Sequence, residues 1–248
     1  MAAAGGLGLS SLLGIVICTL LALIGERKRV LTTSGAIAAW LFGIAILALC
    51  GLGWLLVLLS FFLLGSVATR YKFQLKESLG AAEDRLGRRS WENVVANGLT
   101  ALLFVVSEFV HPGAVFLAGY LGAVSAALAD TLSSEIGLTS KSPPRLITNL
   151  RRVRPGTHGG VSLLGTVASL IGSIVLGLIA WTLHLESAPR WTLATIILVC
   201  AVGGMVGSTV DSILGAKFEI RGKMSNGQVN LIATLAGGLS AASVFALI

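Results

Sequence analysis

Charge is scarce in this sequence. Asp, Glu, Lys and Arg make up 12% of its 248 residues, 55% are hydrophobic, and mean hydropathy is +0.90. Soluble domains carry about 25% charged residues. A soluble globular fold is therefore excluded, and an integral membrane protein is expected. Cysteine is scarce too. Cys18, Cys50 and Cys200 each lie inside an apolar run, with no Cys-x-x-Cys pair and no Cys/His cluster. That excludes a zinc site and a disulfide framework and leaves three small core residues. A basic segment ahead of the first apolar run is missing as well. Arg27-Lys28-Arg29 follow that run, so it reads as a first span and not as a cleaved signal.

What is present is a series of apolar runs. A span needs roughly 20 apolar residues. Runs at 7–24, 31–49, 52–69, 94–110, 113–137, 161–185, 190–210 and 229–247 predict about eight spans in one transmembrane domain over residues 1–248. The expected fold is all-α and polytopic. Gly51-Leu52-Gly53 breaks the second run from the third, and His111-Pro112-Gly113 breaks the fourth from the fifth, because proline ends a helix and glycine permits the turn.

The basic residues alternate with these spans. Arg27, Lys28 and Arg29 fill the first loop; Arg70, Lys72, Lys76, Arg85, Arg88 and Arg89 the third. Lys141, Arg145, Arg151, Arg152 and Arg154 fill the fifth, and Lys217, Arg221 and Lys223 the seventh. Seventeen of the eighteen basic residues thus fall on one side, leaving only Arg190 opposite. The positive-inside rule makes that side cytoplasmic, with both termini outside. The net charge of +7 is largely this bias and implies no nucleic-acid partner. The basic loops also suit anionic membrane lipids.

Topology bias does not explain why acids gather on the same side. Asp130, Glu135 and Asp211 lie at the basic ends of their spans, where near-buried carboxylates are costly and usually functional. Glu108 lies near the opposite end of its span and is left out of the site. In a helix, Asp130 shares a face with Ser133 and Ser134, while Glu135 sits about 140° away. The two carboxylates converge only if the helix ends or loosens here, for which Gly137 is a candidate; otherwise they serve different neighbours. Hard oxygen ligands beside phosphates suit Mg²⁺; a polar cap on a span has the same composition.

Pro155-Gly156-Thr157-His158-Gly159-Gly160 follows Arg151, Arg152 and Arg154 and precedes a span. Glycines let backbone N–H groups point into one concavity, and a helix N-terminus adds partial positive charge. Arginine forks bind phosphate in a bidentate manner. This is the composition of a phosphate cradle, though no Gly-Lys-Ser/Thr makes it a Walker A loop. Gly203 and Gly207 form a GxxxG that permits close helix packing and leads to Asp211-Ser212, an echo of Asp130-Thr131. Asn97, Asn226 and Asn230 sit at similar depths on other spans, where asparagine also serves as helix glue.

Four stretches, "RSWENVVANG", "ADTLSSEIG", "PGTHGGVSLLG" and "VDSILGAKF", occur in this order. They resemble an integral-membrane family long labelled a domain of unknown function, which includes the phytyl-phosphate kinase of chloroplasts and an animal transmembrane protein. The family is distantly similar to CTP-dependent polyprenol kinases and to membrane cytidylyltransferases that make CDP-lipids. In those cytidylyltransferases a Pro-Gly-His-Gly-Gly stretch is followed by acids. Here Thr157 is inserted and Val161-Ser162-Leu163-Leu164 carries none.

The resemblance implies a nucleotide-dependent kinase, with CTP as donor, that phosphorylates an isoprenyl monophosphate. In that reading Asp130, Glu135 and Asp211 hold Mg²⁺. Arg151, Arg152, Arg154, Gly156, Thr157, His158, Gly159 and Gly160 hold nucleotide phosphates. Lys141 neutralises the transferring group, and Asn97 and His158 orient substrate oxygens. A cytidylyltransferase is the nearest alternative. A transporter is another, although transporters place polar groups near the bilayer midplane and these lie at one face. The expected location is the cell inner membrane or its organellar equivalent, with the site facing the cytoplasm. Oligomeric state stays open, a homo-oligomer included.

Overall fold

A computed structural model describes residues 9–79, 88–185 and 191–248. Arg85 and Arg190 lie outside the described residues. The chain runs α1 (Leu9–Arg27), α2 (Thr33–Cys50), α3 (Leu52–Arg70), a short α4 (Phe73–Ser78), α5 (Trp91–Val110) and α6 (Ala114–Gly137). Two short strands follow, β1 (Arg145–Leu146) and β2 (Gly160–Val161), then α7 (Leu163–Thr182), α8 (Leu193–Leu214), a π-turn over Gly215–Glu219, and α9 (Asn226–Leu247). Among the described residues, seven helices are long and apolar enough to cross a membrane: α2, α3 and α5 to α9. The nineteen-residue α1 occupies the first apolar run and makes the eighth long helix.

Helix starts are set by local capping. Thr32, Ser162, Thr192 and Ser225 each accept, through the side-chain oxygen, the N–H three residues on, which satisfies a donor the helix cannot. Ser90 opens α5, with its N–H donating to Asn93 Oδ1 at 3.0 Å. Caps explain why α5 and α9 begin about one turn before their apolar runs. Hydropathy loses polar first turns such as Trp91-Glu92-Asn93. α8 likewise extends beyond residue 210 and carries Asp211 inside the helix.

α6 is the central helix, buried over most of its length, and α8, α9 and α7 pack most extensively on it. Small residues make this possible. A Cβ on Gly203 would fall 2.4 Å from Gly122 Cα, and one on Gly207 would fall 2.3 Å from Ala126 Cβ. α6 and α8 both run toward the basic end, so close packing carries Asp130 and Asp211 to similar depth. Buried hydroxyls stitch the same helices: Ser125 donates to Cys200 O at 2.7 Å and Ser169 to Ala129 O at 2.8 Å. Leu12, Val16 and Leu20 on α1, and Leu103 and Phe109 on α5, stay exposed on the outer surface, where lipid takes the place of water. Gly203→Val is expected to push α6 and α8 apart and cost roughly 3 kcal/mol. A thermal melt in detergent reads it, and an unchanged melt would contradict this packing.

Candidate functional site

The basic ends of α5, α6, α8 and α9, together with the loop at 138–162, enclose a polar cavity of about 230 Å³. α5 contributes Asn93 and Asn97; α6 contributes Asp130, Thr131, Ser133 and Ser134. The loop adds Gly156 to Gly160, α8 adds Asp211 and Ser212, and α9 adds Asn226 and Asn230. Among the described residues no Phe, Tyr or Trp lines it.

Asp130 and Asp211 lie within hydrogen-bonding reach of each other. Asp211 Oδ1 and Asn230 Oδ1 are sealed from solvent, with no hydrogen-bond partner among the described residues. A buried acceptor without a donor costs about 1–3 kcal/mol. Two carboxyl groups so close also repel when both are ionised. Both costs fall if a cation, or a ligand carrying donors, enters the cavity. One or two carboxylates completed by phosphate oxygens is the donor set that suits Mg²⁺, so the pair fits that ion.

Glu135 also lines the cavity, but its carboxylate already has a partner. α6 continues through Gly137, so Glu135 stays on another side of the helix from Asp130. Its Oε2 meets Lys76 Nζ at 2.5 Å, with both side chains buried. Lys76 also donates to the carbonyls of Ala68 and Thr69 at 2.8 and 3.0 Å. Glu135 is thus held by Lys76, and no group of three metal-ligating side chains forms among the described residues. Lys141 sits on an exposed turn and does not line the cavity, whereas its neighbours Ser140 and Ser142 do.

The glycine loop is a folded unit. β1 pairs antiparallel with β2, with Arg145 opposite Val161 and Leu146 opposite Gly160. Ile147 N–H donates to Gly159 O at 3.0 Å, and Val153 N–H to Pro144 O at 3.0 Å. Gly156 and Gly159 hold φ of 85° and 73°, the left-handed region that favours glycine. Gly159 also has no room for a side chain, since a Cβ would stand 2.4 Å from Ser212 O and 2.5 Å from Ala216 N. The loop therefore seats on the end of α8, beside the π-turn, and reaches Asp211 from the side. Thr157 and Gly160 line the cavity, but their N–H groups are engaged in turn bonds to Arg154 O and Thr157 O. His158 lines the cavity and places Nδ1 3.1 Å from Glu219 Oε2. Arg151, Arg152 and Arg154 are exposed and lie outside the cavity wall, a second departure from expectation.

Asn97 lines the cavity as expected, and its Nδ2 donates to Asn93 O at 2.9 Å. Glu108 accepts from Gly113 N–H at 3.0 Å, a structural task between α5 and α6. The residue the sequence reading passed over is Arg89. It lines the cavity and stands at the head of the Arg89–Gly98 stretch, where the sequence shows it only as one more loop charge. Glu219 was lost in the same way, inside a stretch read as loop.

The profile described as integral membrane protein DUF92 matches residues 16–238. An uncharacterized membrane protein of Methanocaldococcus jannaschii is 38% identical over 226 residues, covering 91% of this chain and 90% of its own. Protein PGR of Arabidopsis thaliana is 30% identical over 230 residues, covering 84% of this chain and 78% of its own. Protein VTE6, chloroplastic, of the same plant is 29% identical over 219 residues, covering 85% and 64%. No solved structure gives a significant match. The chain belongs to the DUF92 family of integral membrane proteins.

Proposed function

We propose that this protein acts in prenyl-lipid metabolism, as a nucleotide-dependent kinase that converts an isoprenyl monophosphate to the diphosphate with CTP as donor. The observation that carries the reading is the Asp130–Asp211 pair, with Asp211 Oδ1 buried and without a hydrogen-bond partner among the described residues, in a polar cavity at the basic ends of the helices. Resemblance to a family that includes chloroplast phytyl-phosphate kinase supports the substrate class.

The chemistry asks for positioning and charge neutralisation more than covalent help from the protein. A terminal oxygen of the prenyl phosphate attacks the γ-phosphorus. The bond from that phosphorus to the β–γ bridging oxygen breaks, and the nucleoside diphosphate leaves. The attacking phosphate is already ionised near neutral pH, so no strong general base is needed. Asp130 and Asp211 would hold Mg²⁺, which when bound offsets charge on the phosphates. The Gly156–Gly160 loop and His158 face the same space and orient phosphate oxygens. Ligand sites for drug-sized molecules run to about 300–1,000 Å³. A cavity of about 230 Å³ with no Phe, Tyr or Trp in its wall among the described residues suits the triphosphate, with ribose and base outside it. Arg151, Arg152 and Arg154, exposed beyond the wall, draw the nucleotide toward the cavity by long-range attraction.

The test is purified protein in nanodiscs with Mg²⁺, geranylgeranyl or phytyl monophosphate, and CTP or ATP in parallel, with products identified by mass spectrometry. A prenyl diphosphate with a nucleoside diphosphate is expected. A CDP-prenyl product with pyrophosphate would move the protein to the cytidylyltransferases, and no product with any pairing would overturn the kinase.

A further inference from the structure

A second cavity, of about 70 Å³, lies between α1, α2, α3 and α5 and is almost wholly apolar. Leu21 and Ala22 of α1, Ala39 and Trp40 of α2, and Phe61 and Phe62 of α3 supply much of its wall. It is not isolated. Arg89, Asn93 and Asn97 line both this cleft and the polar cavity. One water-sized site takes about 10–15 Å³, so the cleft holds roughly five to seven such spheres, room for a short stretch of one hydrocarbon chain.

Arg89 stands at the junction, and the fold holds it there closely. Its N–H donates to Val30 O at 2.9 Å, and its carbonyl accepts from Thr32 N–H at 3.0 Å. Two glycines clear its path: a Cβ on Gly35 would lie 2.3 Å from Arg89 O, and one on Gly65 would lie 2.7 Å from Arg89 Nη2. The guanidinium carbon sits 5.1 Å and 5.9 Å from the ring centroids of Phe61 and Phe62. A guanidinium is weakly hydrated, stacks on aromatic faces and has a planar fork of donors whose geometry matches phosphate oxygens. An anion bound there would have the polar cavity on one side and an apolar slot on the other.

We propose that this cleft takes the hydrocarbon chain of a single-chain lipid monophosphate, with Arg89 as the residue that holds its phosphate and Asn93 and Asn97 beside it. The charge of Arg89 complements the phosphate. Continuity with the polar cavity aims that phosphate at Asp130 and Asp211. The identity of the lipid as the phosphoryl acceptor rests on the kinase reading; the binding site does not.

The experiment measures binding in nanodiscs without nucleotide. The probes are geranylgeranyl monophosphate, the short dimethylallyl monophosphate, and geranylgeraniol, which lacks the phosphate. Arg89→Gln is expected to weaken both monophosphates by roughly tenfold to a hundredfold and to leave the alcohol unchanged. Ala22→Phe and, independently, Ala39→Phe fill the slot. Each is expected to weaken geranylgeranyl monophosphate at least about tenfold while dimethylallyl monophosphate binds as before, the retained short-chain binding reporting an intact site. Equal effects on long and short chains, or none from either filling variant, would overturn the cleft. So would an Arg89→Gln protein that binds both monophosphates normally. The two readings separate cleanly: this binding pattern without diphosphate product sinks only the kinase, and diphosphate product with wild-type binding by the filling variants sinks only the cleft.

Discussion

Asp211→Asn is expected to lower prenyl-phosphate turnover at least about a hundredfold, the scale seen when one aimed electrostatic group is lost from an active site, with the fold intact. Asp211 Oδ1 is buried and has no hydrogen-bond partner among the described residues, and the carboxyl faces Asp130. Asparagine keeps the shape and removes the charge. It also removes repulsion between two carboxylates, so thermal stability without metal should stay level or rise. Asp130→Asn should behave alike, because both side chains supply one site from parallel helices. Mg²⁺ titration of activity separates a ligand from a bystander, since loss of a ligand raises the concentration needed for half-maximal rate. If either variant keeps wild-type turnover and wild-type Mg²⁺ dependence, that residue does not hold the metal.

The largest stability effect is expected at Lys76. This lysine is 1% exposed and bridges the last carbonyls of α3 to Glu135 on α6. Lys76→Met leaves Glu135 buried without its cation and should cost about 3–5 kcal/mol. Lys76→Met combined with Glu135→Leu should recover most of that loss, because no charge is then stranded. Melting in detergent reads both variants. A single variant that melts like wild type would mean that the pair contributes no hold on α4. The pairing also gives Glu135, which lines the cavity as Asp130 does, a cation of its own.

Some of the site was legible from residue order. Asp130-Thr131 and Asp211-Ser212 form a visible echo, and the helices that carry them run side by side in one direction. The GxxxG of Gly203 and Gly207 announced a close crossing, and Gly122 and Ala126 are what it meets. Arg89 was harder to find. In sequence it is one of six basic residues in a loop, and only the clearances at Gly35 and Gly65 and the two phenylalanine rings distinguish it. Arg151, Arg152 and Arg154 present the opposite case. They adjoin the glycine loop in sequence, yet the short pairing of 145–146 with 160–161 turns the glycines to the cavity and leaves the arginines outside it.

The chain's order of residues alone determined that its apolar runs become long helices and which acids stand at their basic ends. In a bilayer each apolar run must satisfy its own backbone hydrogen bonds, so a run becomes a helix and its polar ends mark the interface. Tertiary structure alone decided which acids act together. That choice depends on how each helix is rotated, and rotation is set by small residues packed many positions apart, such as Gly122 against Gly203. Asp130 and Glu135 stand about 140° apart on one helix, so the rotation that aims the first at Asp211 turns the second to Lys76.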